Sequence, residues 1–206
     1  MIKNTSLKNK NVLITGGAGF IGSELTKQAL SLGANVSVVD NLVNGKKSNL
    51  DLDDKNLMFY EEDIRNQQVM QNLISKSDYV FNLACLGVRH SIHSPIESHS
   101  VNADATLNLL KMSRESEIKK FVHISTSEVY GTAKYVPMTE EHPTAPHTVY
   151  GASKLAGEAY ARAYSKSFKT NTVVIRPFNS YGYNSHHEGD SGEVIPKFII
   201  RALTGK

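Results

Sequence analysis

The stretch TGGAGFIG, at residues 15–22, constrains the fold more than any other part of the chain, because it joins a strand pattern to a helix pattern. The apolar run Val12–Thr15 predicts a short buried strand, and Ser23–Leu32 predicts an amphipathic helix that ends at Gly33. A glycine-rich turn in this setting brings the free N–H groups of a helix N-terminus close to a phosphate. The turn therefore predicts a nucleotide site near the start of the chain.

The spacing of these glycines narrows the class of ligand. Gly17, Gly19 and Gly22 fit the pattern G-x-G-x-x-G, and Gly16, Gly19 and Gly22 also stand at three-residue intervals. Such glycines permit the tight turn and the close backbone approach to a pyrophosphate that dinucleotide-binding folds use. The sequence lacks G-x-x-x-x-G-K-[ST], which argues against a P-loop kinase or NTPase.

Asp40 follows the second predicted strand, Asn35–Val39, about 20 residues after the glycines, where dinucleotide folds place an acidic ribose-binding residue. A carboxylate there accepts hydrogen bonds from the adenosine ribose and repels a 2′-phosphate, which favours NAD over NADP. Lys46 and Lys47 argue the other way, but they lie several residues further on. The alternative for Asp40 is a turn or helix cap; with the glycines in place, we predict an NAD site.

Strand and helix patterns alternate along the rest of the chain, which predicts an α/β fold with a parallel sheet and helices on both faces. Further strands are predicted at Leu57–Tyr60, Tyr79–Leu83, Phe121–Ile124 and Thr172–Ile175. Further helices are predicted at Gln67–Ser75, Pro95–Glu117, Tyr150–Ser167 and Val194–Leu203. The loop at residues 131–148 is long, which suggests a functional loop.

Composition bears on the class of protein and its compartment. The 206 residues, 40% of them hydrophobic, suit one globular domain with a sizeable core. The net charge is +3 and the lysines are scattered, so nucleic-acid binding has weak support. The single cysteine, Cys85, excludes an internal disulfide and fits a reducing compartment. The polar N-terminus predicts no signal peptide, and no apolar run approaches membrane-spanning length, so we expect a cytoplasmic location.

A phenol and an ammonium stand one helical turn apart in TVYGASKLAGE, where Tyr150 and Lys154 share a helix face. A lysine held there is expected to lower the pKa of the tyrosine from about 10, so that the tyrosine accepts a proton from an alcohol near neutral pH. Tyr-x-x-x-Lys spacing is common, and a surface pair is the alternative when the spacing alone is considered.

Seven motifs occur in a fixed order: TGGAGFIG at 15–22, DN at 40–41, DI at 63–64, NLA at 82–84, STSEVYG at 125–131, YGASK at 150–154 and RPFNSYG at 176–182. Together they resemble the extended short-chain dehydrogenase/reductase family, in its nucleotide-sugar epimerase, dehydratase and decarboxylase branch. The resemblance covers the whole chain. It implies a doubly wound, Rossmann-type sheet that holds NAD tightly through the catalytic cycle.

The resemblance also implies roles for individual residues. Tyr150 would remove a proton from a sugar hydroxyl during oxidation at carbon 4, Lys154 would bind the nicotinamide ribose and lower the tyrosine pKa, and Thr126 would hydrogen-bond the reacting oxygen. The implied cofactor-binding residues are Gly16, Gly19, Phe20, Ile21, Gly22, Asp40, Asn41, Asp63, Ile64, Leu83, Ala84, Asn102, Tyr150 and Lys154. The implied substrate-binding residues are Arg89, Ser127 and Asn179.

Members of this branch share a 4-keto sugar and differ in what they do with it. Simple epimerases usually have small or hydroxyl residues at the two positions after Thr126, whereas this chain has Ser127 and Glu128. A carboxylate beside the sugar suits proton removal at carbon 5, so we predict Glu128 as a catalytic residue of a 4,6-dehydratase. The alternative is a surface carboxylate near a turn.

Other motif details support the two remaining reactions. The Ser-Glu pair also resembles decarboxylases, but Tyr183 and Asn184 replace the Pro-Arg pair of the family and remove a cation that could meet an acidic sugar. The segment GVRHSIHSP at 87–95 resembles uronic-acid 4-epimerases, in which Arg89 would pair with a carboxylate or phosphate. Nucleotide-sugar 4-epimerase and UDP-uronic acid decarboxylase therefore stay open as alternatives, as does a non-catalytic NAD-binding sensor or scaffold.

The resemblance implies an NAD-binding domain at 1–176 and, at 177–206, the start of a substrate-binding lobe that continues in family members. It also implies a homodimer packed through the helices that contain Asp104–Arg114 and Tyr150–Tyr164. No metal is expected, although the segment from His186 to Asp190 holds two histidines and two carboxylates, because the family needs none. Cys85 would lie beside the nicotinamide, without a local cationic partner that would make it a nucleophile.

Overall fold

Six parallel strands form the sheet at the centre of the protein, in the order β3-β2-β1-β4-β5-β6. The structure, a computed structural model, describes residues 6–187 and 192–205. The strands are β1 Asn11–Thr15, β2 Asn35–Asp40, β3 Leu57–Glu61, β4 Tyr79–Asn82, β5 Lys120–Ile124 and β6 Thr172–Ile175. This order, with β1 between β2 and β4, is that of a doubly wound Rossmann-type sheet, and it confirms the predicted fold class.

The helices are α1 Phe20–Ser31, α2 Gln67–Ile74, α3 Val88–His93, α4 Pro95–His99, α5 Ala105–Glu115, α6 Val149–Phe168 and α7 Val194–Thr204. They cover two separate cores, one on each face of the sheet. Strand β1 contributes to both, because successive side chains point to opposite faces. Leu13 joins the core beneath α2, α5 and α6, whereas Val12 and Ile14 join the core beneath α1.

The crossing point of the chain lies where β1 meets β4. In the parallel register Thr15 lies opposite Val39 on one side and Asn82 on the other, so the carboxyl ends of β1, β2 and β4 meet at one edge of the sheet. In folds of this kind, ligands bind in the crevice outside this edge. The glycine turn after β1 and the segment after β4 therefore form opposite walls of one crevice.

Two helical predictions differ from the structure. The helix predicted over Pro95–Glu117 is divided, because a π-helical turn at Ser100–Asp104 separates α4 from α5. Helix α3, Val88–His93, was not predicted, since its six residues are too few to show a helical period. The other predicted strands and helices are present, with ends that differ by at most three residues, and β6 has the predicted bounds.

The last helix has an apolar surface. None of the residues of α7 is buried, and Phe198 and Leu203 are 67% and 82% exposed. Strand β6 is the edge strand beyond β5. Among the described residues, no helix has the length and apolar content that a membrane crossing requires.

Candidate functional site

A cavity of about 550 Å³ opens at the carboxyl edge of the sheet, where the chain crosses from one half of the fold to the other. Fourteen predicted site residues line it: Gly16, Gly19, Phe20, Ile21, Gly22, Asp40, Asn41, Asp63, Ile64, Leu83, Ala84, Arg89, Tyr150 and Lys154. Asn102, Thr126, Ser127, Glu128 and Asn179 are not among its lining residues. The structure thus brings the predicted cofactor residues together around one space.

The glycine turn forms one wall of this cavity and has no room for side chains. A Cβ atom on Gly16, whose φ is +68°, would lie 2.8 Å from the backbone nitrogen of Ala84, and one on Gly22 would lie 2.1 Å from the carbonyl oxygen of Gly16. Gly17 faces Val38 in the core rather than the cavity. The cavity wall is therefore built from Gly16, Gly19 and Gly22, which stand at three-residue intervals, and not from the set that includes Gly17.

The start of α1 adds polar groups to this wall. Gly19 is the N-cap residue of α1, no side chain caps the helix, and its first turn has no acidic residue. The free N–H groups and the positive end of the helix dipole thus suit an anion such as a pyrophosphate. The bare glycine backbone and the uncapped helix together fit the diphosphate of a dinucleotide.

Asp40 lies at the end of β2, buried against the glycine turn. Its carboxylate accepts hydrogen bonds from the N–H groups of Ala18, at 3.0 Å, and Leu42, at 2.8 Å. Burial raises the pKa of Asp40, while these two hydrogen bonds act in the opposite direction. Asp40 therefore does both things considered from the sequence: it caps a turn, and it presents a carboxyl group to the cavity.

The residues that follow β2 and β3 form a polar cluster beside Asp40. Arg65 donates to Asp63 through Nε at 2.9 Å and through Nη2 at 2.7 Å, and Asn41 donates to the same carboxylate at 3.1 Å. The hydrogen bonds from Arg65 lower the pKa of Asp63. Lys47 pairs with Glu61. The Asp63 carboxylate is thus held charged, next to Ile64 in the cavity wall.

Tyr150 lines the cavity near the start of α6, in contact with residues from two other segments. The Thr126 side chain, the Cys85 thiol and the Glu128 carboxylate all lie close enough to its hydroxyl to act on it. Burial, followed by the effect of Cys85, raises the pKa of Tyr150, and the Thr126 side chain acts to lower it. We expected Lys154 to lower this pKa, but burial raises it, and Lys154 is not among the groups that act on the phenol.

Lys154 is only 1% exposed, one helical turn beyond Tyr150. Burial lowers the pKa of Lys154, and the neighbouring Cys85 and Glu158 act to raise it. His123, on β5, lies behind it, and burial holds the pKa of that imidazole well below its usual range. The lysine is thus a buried amine whose charge depends on groups from several elements.

The turn Ser127–Tyr130 places Thr126 and Glu128 next to α6. The Thr126 hydroxyl accepts from the Glu128 N–H at 3.2 Å, and the Ser127 N–H donates to the Pro177 carbonyl at 3.0 Å. The Glu128 side chain is exposed, yet near enough to Tyr150 to raise its pKa. Glu128 thus lies beside the tyrosine but outside the cavity lining.

Asn102, in the π-helical turn, is fully buried and lies behind the cavity wall. Its amide accepts from the Leu86 N–H at 3.0 Å and donates to the Leu86 carbonyl at 2.9 Å. It also donates to Ser153 at 3.1 Å. Asn102 therefore holds the segment that contains Ala84 and Cys85 against α6.

Cys85 is the residue whose position the sequence reasoning undervalued. It lines the cavity and interacts with both Tyr150 and Lys154, the cation that could not be assigned from the sequence. Its place directly after the NLA motif was the one available signal. Of the segment from His186 to Asp190, residues 188–190 lie outside the described residues; among the residues that the structure describes, no group of three His, Cys, Asp or Glu side chains could hold a metal ion.

Comparison with known proteins places this geometry in a family. The model of the NAD dependent epimerase/dehydratase family matches residues 12–206. The UDP-N-acetylglucosamine 4-epimerase of Methanobrevibacter ruminantium, solved with UDP-N-acetylmuramic acid, is 34% identical, with a TM-score of 0.92 over 97% of this chain and 64% of its own. DesIV of Streptomyces venezuelae, a dTDP-glucose 4,6-dehydratase solved with NAD and TYD, is 33% identical, with a TM-score of 0.87 over 95% of this chain and 62% of its own.

Another similar protein is named for decarboxylation, which the sequence left open as an alternative. UDP-glucuronic acid decarboxylase 1 of Xenopus tropicalis is 33% identical over 204 residues, which are 96% of this chain and 47% of the relative. The chain thus spans less than two thirds of the length of each of these three proteins.

Proposed function

The chain belongs to the NAD-dependent epimerase/dehydratase family, and from that premise we propose that it acts on a nucleotide sugar and oxidises the sugar at carbon 4. The predicted family and the predicted cofactor, NAD, are both confirmed by the family match and by the similar structure that contains NAD. The observation that carries the proposal is the position of Tyr150, which lines the same cavity as the glycine turn and has the Thr126 side chain close to its hydroxyl.

The proposed chemistry assigns one task to each of three side chains. NAD would be held by the cavity residues around Gly16, Gly19 and Asp40, and when bound it would supply the hydride acceptor for oxidation at carbon 4. Tyr150 takes the proton of the hydroxyl on that carbon, as a general base within hydrogen-bonding distance would. Thr126 hydrogen-bonds the same oxygen and orients it toward the phenol. Lys154 supplies positive charge in the cavity, which favours the phenolate form of Tyr150 once Lys154 is protonated.

For the step after oxidation we propose a 4,6-dehydratase, in which Glu128 removes the proton from carbon 5 and water leaves from carbon 6. A ketone at carbon 4 acidifies that proton, and a carboxylate next to Tyr150 is placed to accept it. The effect of Glu128 on the pKa of Tyr150 supports this proposal, because the carboxylate must lie near the phenol to exert it. Arg89, Ser127 and Asn179 are proposed to contact the substrate.

A 4-epimerase is the second candidate, and two observations favour it. The Glu128 side chain is exposed and does not line the cavity, and a 4-epimerase is the similar structure with the TM-score of 0.92. An epimerase needs only Tyr150, Lys154 and Thr126, since the same groups serve both hydride transfers. Decarboxylation of a uronic acid has the support of the Xenopus relative and of Arg89 in the cavity wall.

The product mass separates these reactions. The protein would be incubated with NAD and a panel of UDP-, dTDP-, GDP- and CDP-sugars, and the products analysed by mass spectrometry and chromatography. Loss of water from the sugar is the expected result and identifies a dehydratase, whereas loss of carbon dioxide identifies a decarboxylase. An unchanged mass with a new sugar isomer identifies an epimerase. NAD binding without conversion of any sugar would favour the non-catalytic sensor or scaffold.

Glu128→Gln tests the assignment of the second step directly. The variant should still oxidise carbon 4, so that NADH absorbance rises, but the loss of water should fall by about 10²–10⁴-fold, the usual contribution of a general base. Glu115→Gln, on α5 and outside the cavity lining, is the matched control. Unchanged dehydration in Glu128→Gln would remove Glu128 from the mechanism.

A further inference from the structure

Glu158 is a carboxylate with no exposed surface, placed on α6 one turn after Lys154 and two turns after Tyr150. Residues four and eight positions apart lie on the same face of a helix, so all three side chains point toward the sheet. A buried carboxylate is unfavourable unless it is paired and hydrogen-bonded. The partners of Glu158 therefore indicate its role in the structure.

These partners come from the ends of two strands. Arg176, directly after β6, binds the carboxylate through two nitrogens: Nε donates to Oε2 at 2.9 Å, and Nη2 pairs with Oε1. Ser125, directly after β5, donates its hydroxyl to Oε2 at 2.9 Å. Arg162 pairs with Oε1 from the solvent side. One carboxylate thus ties α6 to the carboxyl ends of β5 and β6.

Arg176 extends this anchor to the long loop after Gly131. Its Nη1 donates to the carbonyl of Glu140 at 3.1 Å, and its guanidinium lies 4.7 Å from the centre of the Tyr130 ring. Backbone hydrogen bonds continue the same junction, since the Ser125 N–H donates to Ile175 and the Ser127 N–H to Pro177. The segment that carries Thr126 and Glu128 is therefore held between β6 and α6.

The charge of Glu158 also reaches the cavity. Burial acts to raise the pKa of Glu158, but the hydrogen bonds from Arg176 and Ser125 lower it, so the carboxylate is ionised at neutral pH. Lys154 is buried next to it, and the negative charge of Glu158 acts against the loss of the lysine's proton. A neutral residue at position 158 would remove this negative charge. The unfavourable burial of the Lys154 ammonium would then be offset to a smaller extent.

We propose that Glu158 is a positioning residue: its carboxylate fixes the segments after β5 and β6 against α6, and it places a negative charge one helical turn from buried Lys154. The second part rests on the proposed contact between Lys154 and bound NAD. Glu158 touches neither the cavity nor, by this proposal, the substrate. It acts through Ser125 and Arg176 on Thr126 and Glu128, and through its charge on Lys154.

The pH dependence of NAD affinity tests the electrostatic part. The titratable groups that act on Lys154 among the described residues are Cys85 from the segment after β4, His123 from β5, and Glu158 on its own helix. The parent protein and every variant carry Cys85→Ala, which removes the thiol from the comparison, and His123 stays neutral because its pKa is lowered. Affinity is measured by calorimetry from neutral to alkaline pH.

In Glu158→Gln the affinity for NAD should fall at a lower pH than in the parent protein. The reason is that Lys154, without the neighbouring negative charge, loses its proton earlier as the pH rises. Glu158→Asp keeps the charge and should keep the parent pH dependence. Glu115→Gln, at an exposed position of α5 where the carboxylate pairs with Lys111, is the matched control and should also leave it unchanged.

Hydrogen–deuterium exchange tests the anchoring part on the same variants. The amides of Ser125 and Ser127 should exchange faster in Glu158→Gln, because the junction between β5 and β6 opens locally. If Glu158→Gln alone does not fold, since it leaves Arg176 without its counter-charge, Glu158→Gln/Arg176→Gln is compared with Arg176→Gln.

The outcomes separate the two proposals. Identical pH dependence in the parent protein and Glu158→Gln would overturn the role of Glu158 in keeping Lys154 charged, even where NAD binds well. Unchanged amide exchange would overturn its anchoring role. A parent protein that binds no NAD at any pH would overturn the proposed function instead, and the contact on which the inference rests.

Discussion

Tyr150 is the side chain on which the proposed chemistry depends most directly, since it lines the cavity and has the Thr126 side chain close to its hydroxyl. Tyr150→Phe removes the proton acceptor and keeps the ring. We expect sugar conversion to fall by about 10²–10⁴-fold, with NAD affinity little changed. Turnover of the sugar substrate identified by mass spectrometry and calorimetric NAD binding would be measured on the same preparation.

Tyr164→Phe provides the control, because this tyrosine lies on the same helix and packs against Phe168, away from the cavity. It should convert sugar at the parent rate. Full activity in Tyr150→Phe would mean that another group takes the proton.

Cys85 offers a test that uses the direction of a pKa shift. The thiol raises the pKa of Tyr150, so Cys85→Ala should lower it. A lower pKa means that more of the phenol is ionised at a given pH, and the rising limb of the rate–pH profile should move to lower pH.

Thr126→Val should shift the rate–pH profile in the direction opposite to Cys85→Ala. It removes a hydroxyl that acts to lower the pKa of Tyr150, so the same limb should move to higher pH. The two profiles, measured as kcat against pH, should diverge from that of the parent protein. A shift of both variants in one direction would contradict the assigned contacts.

Sequence reasoning found Tyr150 and Lys154 because a spacing of four fixes a shared helix face. It erred on the sign of the tyrosine pKa shift, because that sign depends on how deeply the phenol is buried, and burial is a property of the packed structure. The contacts of Cys85 and Glu158 could not be predicted from the sequence for the same reason. Their partners Lys154, Ser125 and Arg176 come together only through the order of the strands.

At the level of elements, the turn between β1 and α1 has the least tolerance for change. Gly22→Ala would place a Cβ atom 2.1 Å from the Gly16 carbonyl oxygen, so the turn must open. We expect NAD binding to be lost, together with about 1–3 kcal/mol of stability, the usual cost of an overpacked site. Calorimetry and thermal unfolding would measure the two effects.

Gly87→Ala is the steric control for stability, because a Cβ atom at this position, the N-cap of α3, would meet no atom within 4 Å. Its unfolding temperature should equal that of the parent protein or exceed it. If Gly22→Ala bound NAD as tightly as the parent protein, the glycine turn would not be the pyrophosphate site.

The elements themselves could be predicted where the pattern is long or strongly apolar. The buried strands and α6 were found nearly to the residue, since both faces of the sheet are covered and the strands are continuously apolar. Helix α3 and the π-helical turn were not found. The six residues of α3 show no period, and the turn reflects the bonds that Asn102 makes with Leu86 and Ser153 across the fold.

At the scale of the whole molecule, two surfaces are candidates for a contact between copies. The family resemblance predicts a homodimer through α5 and α6, whereas the exposed apolar residues are concentrated on α7. Exposed apolar patches of this kind favour association. Helix α6 lines the NAD cavity through Tyr150 and Lys154. It would also form the dimer contact if two copies pair through α5 and α6, but not if they pair through α7.

Phe198→Glu, a change on α7 at a side chain that is 67% exposed, separates the two surfaces. Because it places a charge in the apolar patch, we expect weaker binding of a hydrophobic dye and less concentration-dependent association. The dimer through α5 and α6 should persist in sedimentation velocity, and NAD affinity should not change, since Phe198 does not line the cavity. A monomeric Phe198→Glu variant beside a dimeric parent protein would assign the dimer to α7 and overturn the predicted interface.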